Sequence, residues 1–259
     1  MSAAITIKSS EELVLMRRAN EIVAGALNKV NSNIVAGVTT KELDDIAEDY
    51  AKINGAIPAF KGYRGFPASL CVSINEQVVH GIPSKKVVIR DGDIVSVDFG
   101  VKYNGYFGDA AFSTVVGDRL LEKKRLLEVT HHSLILGIEQ ARSGNRVSDI
   151  SEAIQNFVEK NCYHVVKQFV GHGIGSKLHE APEVPNYKRP GRSPRLLPGM
   201  VLAIEPMVNV GTSDVVVMKD GWTVITADRS YSAHFEHSVL VTDGEPEVLS
   251  AAVNSSFSN

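Results

Sequence analysis

The sequence predicts a mixed α/β fold of the α+β kind, in which helix pairs back antiparallel strands and one unit is used twice. Three observations carry this. Two N-terminal stretches place apolar residues at helical spacing. The apolar run Asp93–Gly100 is followed by Asn104-Gly105 and a second apolar run, the pattern of a β-hairpin. The same order of elements then recurs 107 residues later, with Gly37 falling on Gly144.

Residues 10 to 31 read as the first helix. Ser9 or Ser10 can cap it, Glu11 and Glu12 suit its positive end, and Leu13, Met16, Ala19, Ile22, Val23, Ala26, Leu27 and Val30 form its apolar stripe. After a turn at Gly37-Val38-Thr39-Thr40, a second helix capped by Thr40 extends to about Asn54, with Leu43, Ile46, Ala47, Tyr50 and Ala51 inward. Residues 56 to 70 read as loop. Cys71–Ile74 alternates like a strand, and Val78–Pro83 follows. In Asp93–Gly100, β-branched Ile94, Val95 and Val97 mark a buried strand. The hairpin partner is Tyr106–Ala111. Residues 119 to 142 and 148 to 161 give a third and a fourth helix. Val165–Val170 reads as strand, Gly171–Gly175 as turn, 179 to 198 as a Pro- and Arg-rich loop, and 200 to 249 as strands with turns.

The totals set bounds. The chain has 259 residues, 44% of them hydrophobic and 22% charged, which describes an ordinary globular protein with ample core. A net charge of −3 gives no electrostatic reason to expect nucleic acid or an anionic membrane as partner. Two cysteines, Cys71 and Cys162, are too few for a disulfide framework or a thiolate zinc site, and a reduced, cytoplasmic setting is the simplest expectation. No signal peptide is apparent, and no run approaches the roughly 20 apolar residues of a membrane span.

Asp98 is the anomaly in its strand. An ionised carboxylate buried alone neutralises rather than stay charged, so it needs a partner. The hairpin brings Asp109 toward it. The 107-residue shift lays Asp91–Asp98 on Pro198–Glu205, so the aspartate falls on a glutamate that also sits in an apolar strand. A second hairpin would end in Ala233–Val241 and supply Glu236 in the place of Asp109. The halves, about 10–115 and 119–245, would then face each other across a cleft within one domain, 1–259. With His172 between two glycines, four carboxylates and one imidazole suit two divalent ions of the Mn, Fe, Co or Zn type rather than Ca. Such a site lowers the pKa of a bound water and polarises a carbonyl. Any one of these carboxylates taken alone reads as a turn former or surface charge. As a symmetric set in apolar strands they read as ligands.

The other histidines divide. Near such a cleft His80 or His179 could donate to a substrate carbonyl or oxyanion. His131 and His132, adjacent on a helix, do not share a face and read as structural, as do His164, His234 and His237. Aromatic residues and glycine in Phe60–Pro67 read as the wall of an apolar pocket, and Trp222 as core or pocket.

Taken in order, Asn75-Glu76-Gln77-Val78-Val79-His80-Gly81-Ile82-Pro83, Val97-Asp98, Gly108-Asp109, Gly171-His172-Gly173-Ile174-Gly175, Ile204-Glu205-Pro206-Met207 and Phe235-Glu236-His237 closely resemble the type I methionine aminopeptidase family. The resemblance runs from about Ile7 to Val241. It implies the pita-bread fold, a pseudo-two-fold repeat of helix pairs backing a curved antiparallel sheet. It implies Asp98, Asp109, His172, Glu205 and Glu236 as ligands of two divalent ions, with Asp109 and Glu236 bridging and Glu205 also general base and acid. His179 resembles the histidine at the scissile amide and His80 the one near the leaving amine. Tyr63, Phe66, Cys71 and Trp222 match methionine-pocket positions. Asn75, Gln77 and Ser232 match positions tied to a monovalent cation. Phe60 and Leu178 depart from the residues some relatives carry at the pocket rim.

The implied reaction is release of the initiator methionine from nascent polypeptide N-termini when the next residue is small. A monomer is the default, and no segment argues for ribosome association beyond what the substrate suggests. The rivals are a proline-directed aminopeptidase or dipeptidase of the same fold, which usually carries a further N-terminal domain, and a non-catalytic module, which would be expected to have lost ligands.

Overall fold

Capping fixes where the first two helices begin. In the computed structural model, which describes residues 4–117 and 121–251, helix α1 spans Ser10–Asn31. Ser9 accepts a hydrogen bond from the Glu12 N–H and returns its own N–H to the Glu12 carboxylate at 2.7 Å. Helix α2, Thr40–Ile53, begins the same way, with Thr39 and Glu42 as the reciprocal pair. Thr39 is therefore the cap and Thr40 the first helical residue, because a glutamate stands three positions after Thr39 and a leucine three after Thr40.

The strands follow: β1 Ile57–Pro58, β2 Cys71–Ile74, β3 Gln77–Val79, β4 Ile94–Tyr103 and β5 Tyr106–Val115. The segment expected as plain loop thus contains β1 and, at Tyr63–Gly65, a tight 3-10 turn. Asn104 and Gly105, with φ of 45° and 93°, close the β4–β5 hairpin, as a two-residue type I′ turn requires. Helices α3 (Leu121–Glu139) and α4 (Val147–Lys160) come next; the predicted start of α3 at 119 lies outside the described residues. Then come β6 His164–Val165, β7 Gly171–Gly173, β8 Glu180–Val184, β9 Val201–Ile204, β10 Met207–Asn209, β11 Val215–Val217, β12 Val224–Thr226, β13 Ser232–His234, β14 Glu236–Leu240 and β15 Glu247–Val248.

Two expectations fail in this stretch. Gly171–Gly173 is a strand, not a turn, and β8 runs through the Pro-rich loop. The glycines serve close approach instead of chain reversal. A Cβ on Gly171 would stand 2.3 Å from the Ala203 carbonyl oxygen, and one on Gly173 2.3 Å from that of Ala181. The predicted strand at Val165–Val170 shrinks to β6.

The main sheet is ordered β1-β4-β5-β14-β9-β7-β8, with β2 on β4 and β15 on β14; two three-stranded sheets are ordered β13-β10-β6 and β11-β12-β3. The repeat is visible in register. Ile57 faces Lys102, and His164 faces Asn209. Thr39 bridges Val88, and Arg146 bridges Arg195. Each second pair sits 107 positions after the first. The second hairpin is nevertheless broken. Glu205-Pro206 separates β9 from β10, because Pro206 has no N–H for the ladder, and β11 and β12 lie in the connection that Asn104-Gly105 makes in two residues.

Alternation along the strands decides what faces the helices. Val95, Val97 and Phe99 of β4, Ala110 and Phe112 of β5, Leu202 and Ile204 of β9, and Val239 of β14 share one core with Ala19, Ile22 and Val23 of α1. Gly108 lets α1 sit down on the sheet, since a Cβ there would be 2.8 Å from the Ala19 and Asn20 backbone. The intervening residues of these strands face the other way.

A Gly171→Ala substitution should therefore wedge β7 off β9 and lower stability by about 2 kcal/mol or more. Gly37→Ala, where φ is +98° and no atom lies within 4 Å of the added Cβ, should cost only about 1 kcal/mol of backbone strain. Urea midpoints of the two variants check this, and an equal or smaller loss at Gly171 would refute the close-approach account.

Candidate metal centre and its cleft

Register alone places five side chains on one face. Asp98 pairs with Ala111, and Asp109 with Gly100, so the two aspartates are diagonal neighbours on the face away from the helices. Glu236 pairs with Ala111, which puts it on that face. His172 pairs with Ala203, and Glu205 lies two residues beyond Ala203, at the end of the same strand. Gly100 clears the space: a Cβ there would be 3.1 Å from Asp109 Oδ1.

Ligating atoms of Asp109, His172 and Glu236 lie within 4.8 Å of one another, and His172 Nε2 is 3.5 Å from Glu205 Oε1. Asp109 and Glu236 are 4% and 2% exposed, which leaves solvent little part in neutralising them. Burial drives the Asp98 carboxyl up to about 7. It also pushes Asp109, Glu205 and Glu236 well above the ordinary carboxylate range, with the neighbouring carboxylates adding to the effect. Asp98 Oδ1, Asp109 Oδ1 and Glu236 Oε1 are buried without a hydrogen-bond partner. Crowded carboxylates with unpartnered oxygens either hold protons or hold cations.

The supports point the same way. Asp109 N–H donates to Ser238 Oγ at 3.3 Å, and Ser238 Oγ donates back to the Asp109 carbonyl at 2.8 Å. Asn186 Nδ2 donates to the Glu205 carbonyl at 3.0 Å. His172 Nδ1 lies 3.0 Å from the Gly173 carbonyl oxygen. That oxygen can only accept, so Nδ1 carries the proton and bare Nε2 faces the carboxylates, as a metal-ligating histidine needs. Burial lowers the His172 pKa to about 4, which keeps the ring neutral. The residues present therefore fit divalent ions.

A cleft of about 140 Å3 opens onto this cluster. It brings together Phe60, Tyr63, Phe66, Cys71, His80, Leu178, His179 and Trp222 with the five ligand candidates. A larger hollow of about 420 Å3 lies between α4 and residues 181–194 and contains none of the cluster. Phe66 meets Trp222 edge-on at 5.2 Å between centroids, and His80 stands edge-on to Trp222 and Phe169 at 6.1 and 5.5 Å. His80 has φ of 59°, a left-handed conformation that a non-glycine residue adopts at a cost, typically where function holds it. Burial lowers its pKa to about 4. His179 is lowered to about 3 by desolvation in the cleft, with His172, Arg64 and His80 adding to it. Burial raises the Cys71 thiol well above its usual value, so it is a neutral wall group.

Some residues fall outside the sequence reading. Arg64 lines the cleft without any motif to announce it. His234, expected to be merely structural, is buried with Nε2 unpartnered and 3.9 Å from Glu205 Oε2. Its two-residue offset from Glu236 was the available signal. His237 and His131 keep the structural reading, with His237 Nδ1 2.7 Å from Ser250 Oγ and the His131 ring against Phe235. Asn75, Gln77 and Ser232 lie outside the cleft. Ser232 N–H donates to the Asn75 carbonyl, and the Asn75 and Gln77 side-chain oxygens accept from Ile94 and Ile74 N–H. Among the described residues, the buried side-chain oxygens without a hydrogen-bond partner do not include those of Asn75, Gln77 or Ser232.

The profile of metallopeptidase family M24 matches residues 14–243. A methionine aminopeptidase of Clostridium acetobutylicum is 53% identical over 245 residues, which cover 95% of this chain and 98% of that protein. The crystal structure of methionine aminopeptidase from Thermotoga maritima superposes with a TM-score of 0.93 at 44% identity, covering 95% of this chain and 99% of the other. The prolidase of Pyrococcus furiosus shares the fold at a TM-score of 0.76 and 24% identity, with 94% of this chain matching 65% of that one. The chain belongs to metallopeptidase family M24, in its methionine aminopeptidase branch.

Proposed function

We propose that this chain releases N-terminal methionine from polypeptides whose next residue is small, using divalent ions held by Asp98, Asp109, His172, Glu205 and Glu236. The observation that carries the reading is five side chains of metal-ligand type on one sheet face, three of them with an unpartnered buried oxygen, at the floor of a cleft with aromatic walls. Ions bound there would lower the pKa of a water and polarise the scissile carbonyl. Tyr63, Phe66, Cys71 and Trp222 would take the methionine side chain, with Phe60 at the rim. Glu205 would remove the proton of the attacking water and pass it to the leaving amide nitrogen. His179 would donate to the carbonyl oxygen, and His80 would stand by the leaving amine. Asp98 lies on the side where the substrate's free α-amine would bind, which restricts attack to chain ends.

Residues from Ala19 to Val241 share one apolar core, which supports reading the chain as a single catalytic domain. The substrate places its work in the cytosol, and a monomer suffices for the chemistry. The proline-directed alternative has the fold in its favour, but an aromatic wall built from Tyr63, Phe66 and Trp222 suits a long apolar side chain better. Carboxylate-rich sites accept several ions, so Co, Mn, Fe and Zn are all admitted.

Purified protein reconstituted with each ion should release methionine from Met-Ala-Ser and leave X-Pro peptides intact. No ion-dependent release would end this reading, and preferential cleavage of X-Pro would favour the rival. Asp109→Ala should lower kcat at least about 1,000-fold, as expected when a charge-stabilising group at the reacting atoms is lost. Steady-state rates at saturating ion check it.

The raised Asp98 carboxyl gives a stability test. Its folded pKa of about 7 exceeds the ordinary 3.8, so its contribution is intact below about pH 4 and is lost as pH rises to 7. In chelator, Asp98→Asn should melt higher than the wild type at pH 8, with the gap closing toward pH 4.5. With saturating zinc the order should reverse, because the ion stabilises only the protein that binds it. Melting curves that show no pH-dependent gap in chelator would contradict the buried-carboxylate account.

A further inference from the structure

Two imidazoles stand side by side in the cleft with opposite second contacts. The rings of His172 and His179 have centroids 4.2 Å apart. His172 Nδ1 faces the Gly173 carbonyl, which takes its proton in a hydrogen bond and leaves Nε2 bare. His179 Nδ1 instead lies 2.9 Å from the Tyr63 hydroxyl, with the two rings 5.3 Å apart and 19° from parallel.

A neutral imidazole carries one N–H, and the bond made by one nitrogen decides the state of the other. A carbonyl can only accept. A phenol can do either, but it donates better than it accepts. The Arg64 guanidinium lies 5.4 Å from the Tyr63 ring centroid. A cation over the ring draws density from the phenol and strengthens it as a donor. The favoured arrangement is Tyr63 O–H donated to bare Nδ1 of His179, with the ring proton on Nε2. Among the described residues no protein group hydrogen-bonds that Nε2, which is left to the cleft.

We propose that Tyr63 is a positioning residue that locks His179 in the Nε2–H tautomer. The ring then donates to a substrate carbonyl oxygen instead of offering a lone pair to an ion that His172 would hold. This rests on the proposed aminopeptidase reading for the identity of the substrate, but the tautomer lock can be read without it. The lock has a rigid base. Tyr63 N–H donates to the Phe60 carbonyl, and the loop behind is tied to α2 by Ser69 and Leu70 N–H donated to Asp44 and by Lys61 on Glu48.

Tyr63→Phe keeps the ring and removes only the hydroxyl. Long-range 1H–15N spectra of ring-labelled histidine in zinc-loaded protein report the tautomer, with the His179 signals assigned by their loss in His179→Gln. The wild type should show Nε2–H alone, and Tyr63→Phe a mixture. With Met-Ala-Ser, Tyr63→Phe should lower kcat by about tenfold and leave KM within about twofold, because the lost donor acts on developing charge. An unchanged tautomer in Tyr63→Phe, or an Nδ1–H form in the wild type, would overturn the proposal. If neither protein releases methionine, the activity reading fails while the spectra still decide the tautomer.

Discussion

Parity of strand register is the constraint on which the rest of this molecule depends. Side chains alternate at a period of two, so a one-residue slip would exchange the two faces of a strand. At β4–β5 a slip would drive Val97 and Phe99 into the cleft and turn Asp98 toward the helices. The apolar core and the carboxylate cluster therefore enforce the same register from opposite faces. Each apolar residue packed on α1 helps to aim a carboxylate, and the type I′ turn at Asn104-Gly105 sets the count. The cluster itself opposes folding in the absence of cations, since burial raises all four carboxyl pKa values. The opposite face must overcome that resistance.

Much of this was legible in the sequence because it rests on local pattern. The α1 boundaries follow from serine caps and a 3.6-residue stripe. The hairpin follows from Asn-Gly between apolar runs. The ligand candidates emerged because a 107-residue shift matched carboxylate to carboxylate. What stayed hidden depends on packing between distant backbones. Gly171-His172-Gly173 looks like a turn by composition, yet its glycines admit neighbouring strands at distances that no side chain tolerates. Strand β8 was masked by the prolines and arginines that flank it. Thr39 against Thr40 was decidable in principle, and only the glutamate three residues on distinguishes them. Arg64 acquires its place from loop geometry that no spacing rule selects, and His234 offered only its two-residue offset from Glu236.

The repeat is exact at α2 and α4 and at the edge pairs, and imperfect at its centre. Asn54 and Asn161 close their helices with the same side-chain bond to the residue four before, at 2.9 and 2.8 Å. At the cleft the halves diverge. The first hairpin is continuous, whereas the second breaks at Glu205-Pro206 and at Phe235. The break frees the Glu205 backbone from the ladder and lets Asn186 hold its carbonyl. One half thus supplies a rigid carboxylate pair, and the other a carboxylate at a strand end beside an imidazole.

The small β11-β12-β3 sheet has a consequence of its own. Trp222 rides just before β12 and His80 just after β3, while all five ligand candidates lie on or at the ends of main-sheet strands. That part of the wall thus belongs to a different sheet from the floor that carries the charge, whereas Cys71 on β2 joins the rest of the wall to the floor by pairing with Asp98. Substitutions in the small sheet can reshape what the cleft admits without disturbing the register that aims the carboxylates. An architecture divided in this way can drift in preference across a lineage while its hydrolytic floor stays fixed.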